Sequence, residues 1–108
     1  MTVGELATKY SLRQLAVCDT DRVIEGVYIG DLLSWVMGRA SAGNAWITIM
    51  SNINIVAVAT LVGVSCIILA EGVTLDDEVI KVALSKGVNI LASDNDAYEL
   101  SVMLSKVI

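Results

Sequence analysis

Trp46-Ile47-Thr48-Ile49-Met50, Ile55-Val56-Ala57-Val58-Ala59-Thr60-Leu61 and Ser65-Cys66-Ile67-Ile68-Leu69 all lie between Ala40 and Ala70, a stretch without one charged residue. Two readings compete for it. Ile53 to Ala70 alone reaches about 18 residues, the length at which an apolar run becomes a candidate for spanning a membrane. Against the span stand Asn44, Ser51, Asn52 and Asn54 clustered at one end, Gly63 interrupting the run, and a texture that changes from strand to helix to strand. Parallel strands covered on both faces read as unbroken apolar runs with no alternation. A buried strand-helix-strand unit is therefore expected, and no membrane.

The flanks extend the same pattern. Downstream, Glu71-Gly72-Val73 reads as a turn, and Thr74-Leu75-Asp76-Asp77-Glu78 loads the start of a helix with charge that complements its dipole. Val79, Ile80, Ala83 and Leu84 are expected to face inward, with Gly87 closing that helix. Asn89 to Ala92 reads as a strand, and Ser93 or Asp94 as the cap of a last helix buried through Ala97, Leu100, Met103, Leu104 and Val107. Upstream, Thr2 and Glu5 form a capping-box pattern before Val3, Leu6, Ala7 and Tyr10, which recur at helical spacing. Arg13 to Cys18 and Val23 to Ile29 read as extended segments around an Asp19-Thr20-Asp21 turn. Asp31 is expected to cap a helix striped by Leu32, Leu33, Val36 and Met37, with Trp35 outside the stripe. Alternating strands and helices joined by short connections predict an α/β fold, a mainly parallel sheet with helices packed on its faces. The 108 residues are expected to form one domain, 1–108.

Composition narrows the chemistry. Seven Lys+Arg against twelve Asp+Glu give a net charge of −5, so there is no basic footprint for nucleic acid. Hydrophobic residues make up 56%, which excludes disorder. With no histidine, a Ser-His-Asp triad, a Cys-His pair and His-ligated metals are impossible within one chain. Cys18 and Cys66 sit among apolar neighbours and are expected as buried free thiols; two thiols fall short of a zinc site. Met1-Thr2-Val3-Gly4-Glu5 lacks the features of a secretory leader, and a cytoplasmic protein is expected. Gly38 and Gly43 have the spacing of a phosphate loop, but Asn44-Ala45 stand where its Lys-Ser/Thr belongs. No catalytic residue, cofactor or metal is assigned.

Polar residues gather where the apolar strand at Trp46 gives way to a helix. Thr48, Ser51, Asn52 and Asn54 sit at the carboxyl end of that strand, where ligands of open α/β sheets bind and helix N–H groups favour anions. The competing reading is structural: Ser51 or Asn52 caps the helix and Asn54 bonds a neighbouring loop. Glu71-Gly72-Val73-Thr74 and Ser93-Asp94-Asn95-Asp96 end on the same side of the expected sheet, as the rim of a shallow cleft or as ordinary punctuation. Thr48, Ser51, Asn52, Asn54, Glu71 and Gly72 are thus the candidate ligand residues. Tyr28, Asp31, Trp35 and Trp46 are the candidate interface residues, with the core as the competing place for Tyr28, Trp35 and Trp46.

From about Asp21 to the C-terminus the sequence resembles the DRTGG domain family in its small stand-alone form. Asp21-Arg22-Val23, Gly26 to Ser34, Trp46-Ile47-Thr48, Asn54 to Ala59 and Glu78-Val79-Ile80 carry the resemblance. Where longer relatives carry a Gly-Asp-Arg loop this chain has Met50-Ser51-Asn52, and for their Thr-Gly-Gly turn it has Ala70-Glu71-Gly72. Asn52 stands where stand-alone members often have histidine. The resemblance implies a fold similar to the N-terminal domain of HPr kinase and a non-catalytic regulatory or accessory module, often a homodimer. It also implies a setting in metabolic regulation or beside hydrogenase and electron-transfer components. The alternative it implies is a small-ligand sensor of the adenine-nucleotide type.

Overall fold

A computed structural model describes residues 1–108, and its elements alternate as the apolar pattern requires. Helix α1 (Val3–Lys9) precedes strand β1 (Arg13–Ala16), then β2 (Gly26–Ile29), α2 (Leu33–Arg39), β3 (Asn44–Thr48), α3 (Asn54–Val62), β4 (Cys66–Leu69), α4 (Asp77–Lys86), β5 (Ile90–Ala92) and α5 (Ala97–Ser105). One sheet forms in the order β1-β5-β4-β3-β2. Strands β2 to β5 run parallel, and β1 pairs β5 antiparallel with a register irregularity between Gln14 and Ala16. No helix is long and apolar enough to cross a membrane. The uncharged run divides instead into β3, α3 and β4.

Because β2, β3, β4 and β5 follow one another across the sheet, right-handed crossovers carry α2, α3 and α4 to a single face. Val36, Val56, Ala59, Val79 and Ala83 of those helices pack there against Trp46, Ile67, Leu69 and Ile90. On the other face Leu6 of α1 and Leu100 and Leu104 of α5 cover Ile47, Cys66, Ile68 and Leu91. Strands β3 and β4 are thus enclosed on both sides, which is why their sequence shows no alternation.

Local signals decide the ends. Thr2 and Glu5 exchange side-chain and backbone bonds at 3.0 and 3.1 Å, as the capping-box spacing predicts. The same device caps α5, but through Asp96 and Glu99 rather than the expected Ser93 or Asp94. Gly63 and Gly87 close α3 and α4 in the left-handed conformation, at φ 82° and 72°. Asp31 does not cap α2: the helix starts after Leu32 without a side-chain cap, and Asp31 has another task described below. Leu32 and Met37 are exposed rather than part of a buried stripe, and Leu84 is 48% exposed rather than inward. Strand β3 runs two residues earlier than expected, so Ile49 and Met50 lie beyond its end.

Candidate functional site

The carboxyl ends of β3, β4 and β5 lie side by side, since Thr48 pairs with Leu69 and Leu69 with Ala92. Thr48, Glu71 and Gly72 are brought to this edge as the sequence predicts. The Thr48 hydroxyl and the Glu71 and Gly72 N–H groups are already partnered. The Thr48 hydroxyl is buried, donates to an Asp31 carboxylate oxygen at 2.8 Å and accepts the Met50 N–H at 3.2 Å. The same Asp31 oxygen accepts the Ile49 N–H at 3.0 Å, so Asp31 ties the loop after β2 to the end of β3.

Asn52 does what a cap does. Its side-chain oxygen accepts the Asn54 N–H at 2.9 Å, and Ile53 already has helical angles, so Asn52 physically closes the first turn of α3. Ser51 and Asn54 stay exposed. The Asn54 side chain forms no hydrogen bond to a neighbouring loop; the residue's backbone N–H bonds Asn52.

Where an open α/β sheet sends successive helices to opposite faces, a crevice opens between the two strand ends. Here that point lies between β4, whose chain continues to α4, and β5, whose chain continues to α5. Glu71 and Gly72 both adopt left-handed angles, φ 60° and 72°. Their N–H groups donate to the Asn95 and Ser93 carbonyls at 2.8 and 2.9 Å. The two loops are therefore bonded edge to edge across the crevice, and a Cβ on Gly72 would stand 3.3 Å from Asp94. The cavity of the molecule is elsewhere: a groove of about 480 Å³ between α3 and α4, floored by Val56 and Val82 and rimmed by Asn54, Thr60 and Lys86. Asn54 is the one predicted ligand residue that lines it.

Of the interface candidates, Trp46 is corrected. Its indole is wholly buried and donates to the Gly30 carbonyl at 2.9 Å, leaving no surface for a partner. Tyr28 is half-buried against the same core, whereas Trp35 is 51% exposed with the Arg39 guanidinium 3.5 Å from its ring centre.

Sequence reasoning missed two polar anchors. Asn89 is 2% exposed and makes four hydrogen bonds: its oxygen accepts from Cys18 and Asp19 N–H, and its nitrogen donates to the Asp19 and Ser65 carbonyls. Arg22 donates to the Gly63 carbonyl at the C-terminus of α3, where a cation complements the helix dipole. An Asn just before an apolar triplet and an Arg in a turn gave no pattern that pointed to either contact.

The thiols differ from the expectation that both are buried. Cys66 is buried, and desolvation pushes its pKa from 9.0 up to about 12, against a smaller pull from the Arg22 charge. Cys18 is exposed over the Ala83, Leu84 and Val88 carbonyls, and desolvation raises its pKa also. The neutral Cys66 thiol contributes stability that is full below pH 9.0 and is lost as pH rises from there toward about 12. A chromogenic thiol reagent near neutral pH is expected to label one thiol per native chain, slowly, and two in denaturant. Immediate labelling of both in the native state would contradict the burial of Cys66.

Five strands, four of them parallel, with helices on both faces and strand-end loops bonded to one another, define a small open-sheet α/β domain. The family is equally plain: the DRTGG domain model matches residues 13–107, and the chain belongs to that family. Its fold is similar to that in the crystal structure of the CBS and DRTGG domains of the regulatory region of Clostridium perfringens pyrophosphatase, complexed with the activator diadenosine tetraphosphate. The TM-score is 0.73 and the identity 15%, over 95% of this chain and 45% of that one. This chain thus spans less than half the length of that relative, and the likeness is one of fold. No curated protein matches.

Proposed function

We propose that the chain is a non-catalytic regulatory module of the cytoplasm that acts as a homodimer through contacts with its partners, in metabolic regulation or beside electron-transfer enzymes. The observation that carries this reading is the commitment of the strand-end polar groups. The Thr48 hydroxyl, one oxygen each of Asp31 and Asn52, and the Glu71 and Gly72 N–H groups bond the chain's own loops, whereas Leu32, Trp35, Met37 and Leu61 face outward. Membership of a family whose structurally similar member sits in a regulatory region supports it.

A second reading, a nucleotide sensor, is favoured by the groove between α3 and α4, where Lys86, Asn54 and Thr60 edge an apolar floor. Thermal melting with ATP, ADP and AMP separates the two. A ligand at ten times its Kd adds about 1.4 kcal/mol, which raises the Tm of a domain this size by on the order of 5–10 °C. The interaction module predicts no such shift with any of the three, and a selective rise with one of them replaces it with the sensor.

A further inference from the structure

The two edges of the sheet are built differently. At one, β1 carries Arg13 and Gln14, a register irregularity, and a 3.0 Å ion pair from Arg13 to Asp94. Charge and irregularity of this kind keep other strands from adding to an edge. The opposite edge, β2, is Gly26-Val27-Tyr28-Ile29, in even register with β3 and without charge or proline. Gly30 donates to the Ile47 carbonyl, and alternate residues of a ladder bond the same neighbour. Gly26 and Tyr28 therefore face β3, and Val27 and Ile29 hold their N–H and C=O groups outward.

Apolar side chains flank that open edge on both faces. Val27 and Ile29 pair with Ala45 and Ile47 and so lie on the face of α1 and α5, yet they are 37% and 49% exposed. On the other face α2 fully buries only Val36, while Leu32, Trp35 and Met37 remain open. Trp and Arg are enriched at protein interfaces, and Trp35 and Arg39, four residues apart, share one face of this short helix. Of the two carboxylates beside the strand, Glu25 lies against Gly43 of its own chain, and the exposed Asp31 bonds Thr48 and Ile49 through one oxygen and leaves the other open.

We infer that β2 and α2 form a self-complementary interface on which a second copy of this chain docks, β2 against β2, extending the sheet from one copy into the next. A two-fold axis through the edge makes the pairing antiparallel, as an isologous contact requires. It also brings Arg39, at the C-terminal end of α2, toward the end of β2 where Asp31 of the second copy stands. Between chains of net charge −5, each copy thus sets a basic side chain toward an acidic one of the other. This surface deepens the homodimer reading above and rests on it.

Light scattering coupled to size exclusion tests it on the full chain and three variants, each checked for folding by circular dichroism. The wild type is expected at twice 11.5 kDa. Ile29→Lys and Trp35→Glu are expected to weaken association at least about tenfold, because each places a charge in the contact. Leu61→Lys, on α3 and away from the edge, is expected to leave the mass unchanged. Hydrogen exchange gives the backbone readout: the Val27 and Ile29 amides are expected to be protected in the dimer and to exchange freely in Trp35→Glu. A dimer that survives both edge variants but is broken by Leu61→Lys moves the contact to α3 and overturns this interface alone. A wild type that stays monomeric removes the homodimer as well, and protection of Val27 and Ile29 only with another protein present assigns the edge to a different partner.

Discussion

Replacing Asn89 by alanine is expected to destabilise the chain by about 3–4 kcal/mol, because four hydrogen bonds vanish together and a buried backbone group left unpaired costs about 1–3 kcal/mol. The side chain fills its whole capacity, accepting from Cys18 and Asp19 at 2.8 and 3.0 Å and donating to Asp19 and Ser65 at 2.8 and 3.0 Å. The Ser65 carbonyl is buried and has least access to replacement water. The loop between β1 and β2 then loses its tie to the start of β4. Urea denaturation checks this: at ordinary m-values the midpoint is expected to fall by about 2 M with the slope unchanged. Asn89→Asp is expected to be poor as well, since it keeps the acceptor but turns a carboxylate toward the two carbonyls. A midpoint within about 0.3 M of wild type would mean that the loop holds without this residue.

Trp46→Ala is the second large effect, expected at about 3–5 kcal/mol from lost burial and the cavity left behind. Against a total of about 5–15 kcal/mol for a domain, that brings the chain close to unfolding. Trp46→Phe keeps most of the bulk and orphans the Gly30 carbonyl, so about 1–2 kcal/mol is expected. Trp35→Phe serves as the background, leaving Trp46 as the only tryptophan to report by fluorescence. Its emission is expected to be blue-shifted when folded and to move red with urea. Solvent-like emission from native Trp46 would contradict its burial.

Much of the fold was legible because its strongest signals are local or compositional. Uncharged β3, α3 and β4 follow from burial on both faces, and Thr2 with Glu5 and the glycines at 63 and 87 mark ends through chemistry that spans a few residues. What was hidden depends on partners distant in sequence. Asp31 looked like a cap because caps precede helices, yet its carboxylate is held by Thr48 and Ile49 across the sheet. Trp46 looked available because aromatics often sit at interfaces, and only the position of β3 in the sheet encloses it. The site was expected to centre on the end of β3, since the polar cluster is there, with the loops at 71–74 and 93–96 as its rim. Which helix goes to which face decides where a sheet opens, and that places the crevice between β4 and β5.

The central claim is that this DRTGG domain works through contact between chains rather than through a small ligand, and melting over about a hundredfold range of protein concentration tests it most directly. Unfolding of a dimer releases two chains, so mass action raises Tm with concentration. A rise of several degrees, the same with and without ATP, ADP or AMP, is the predicted result. A Tm that ignores concentration and climbs with one nucleotide would contradict the account.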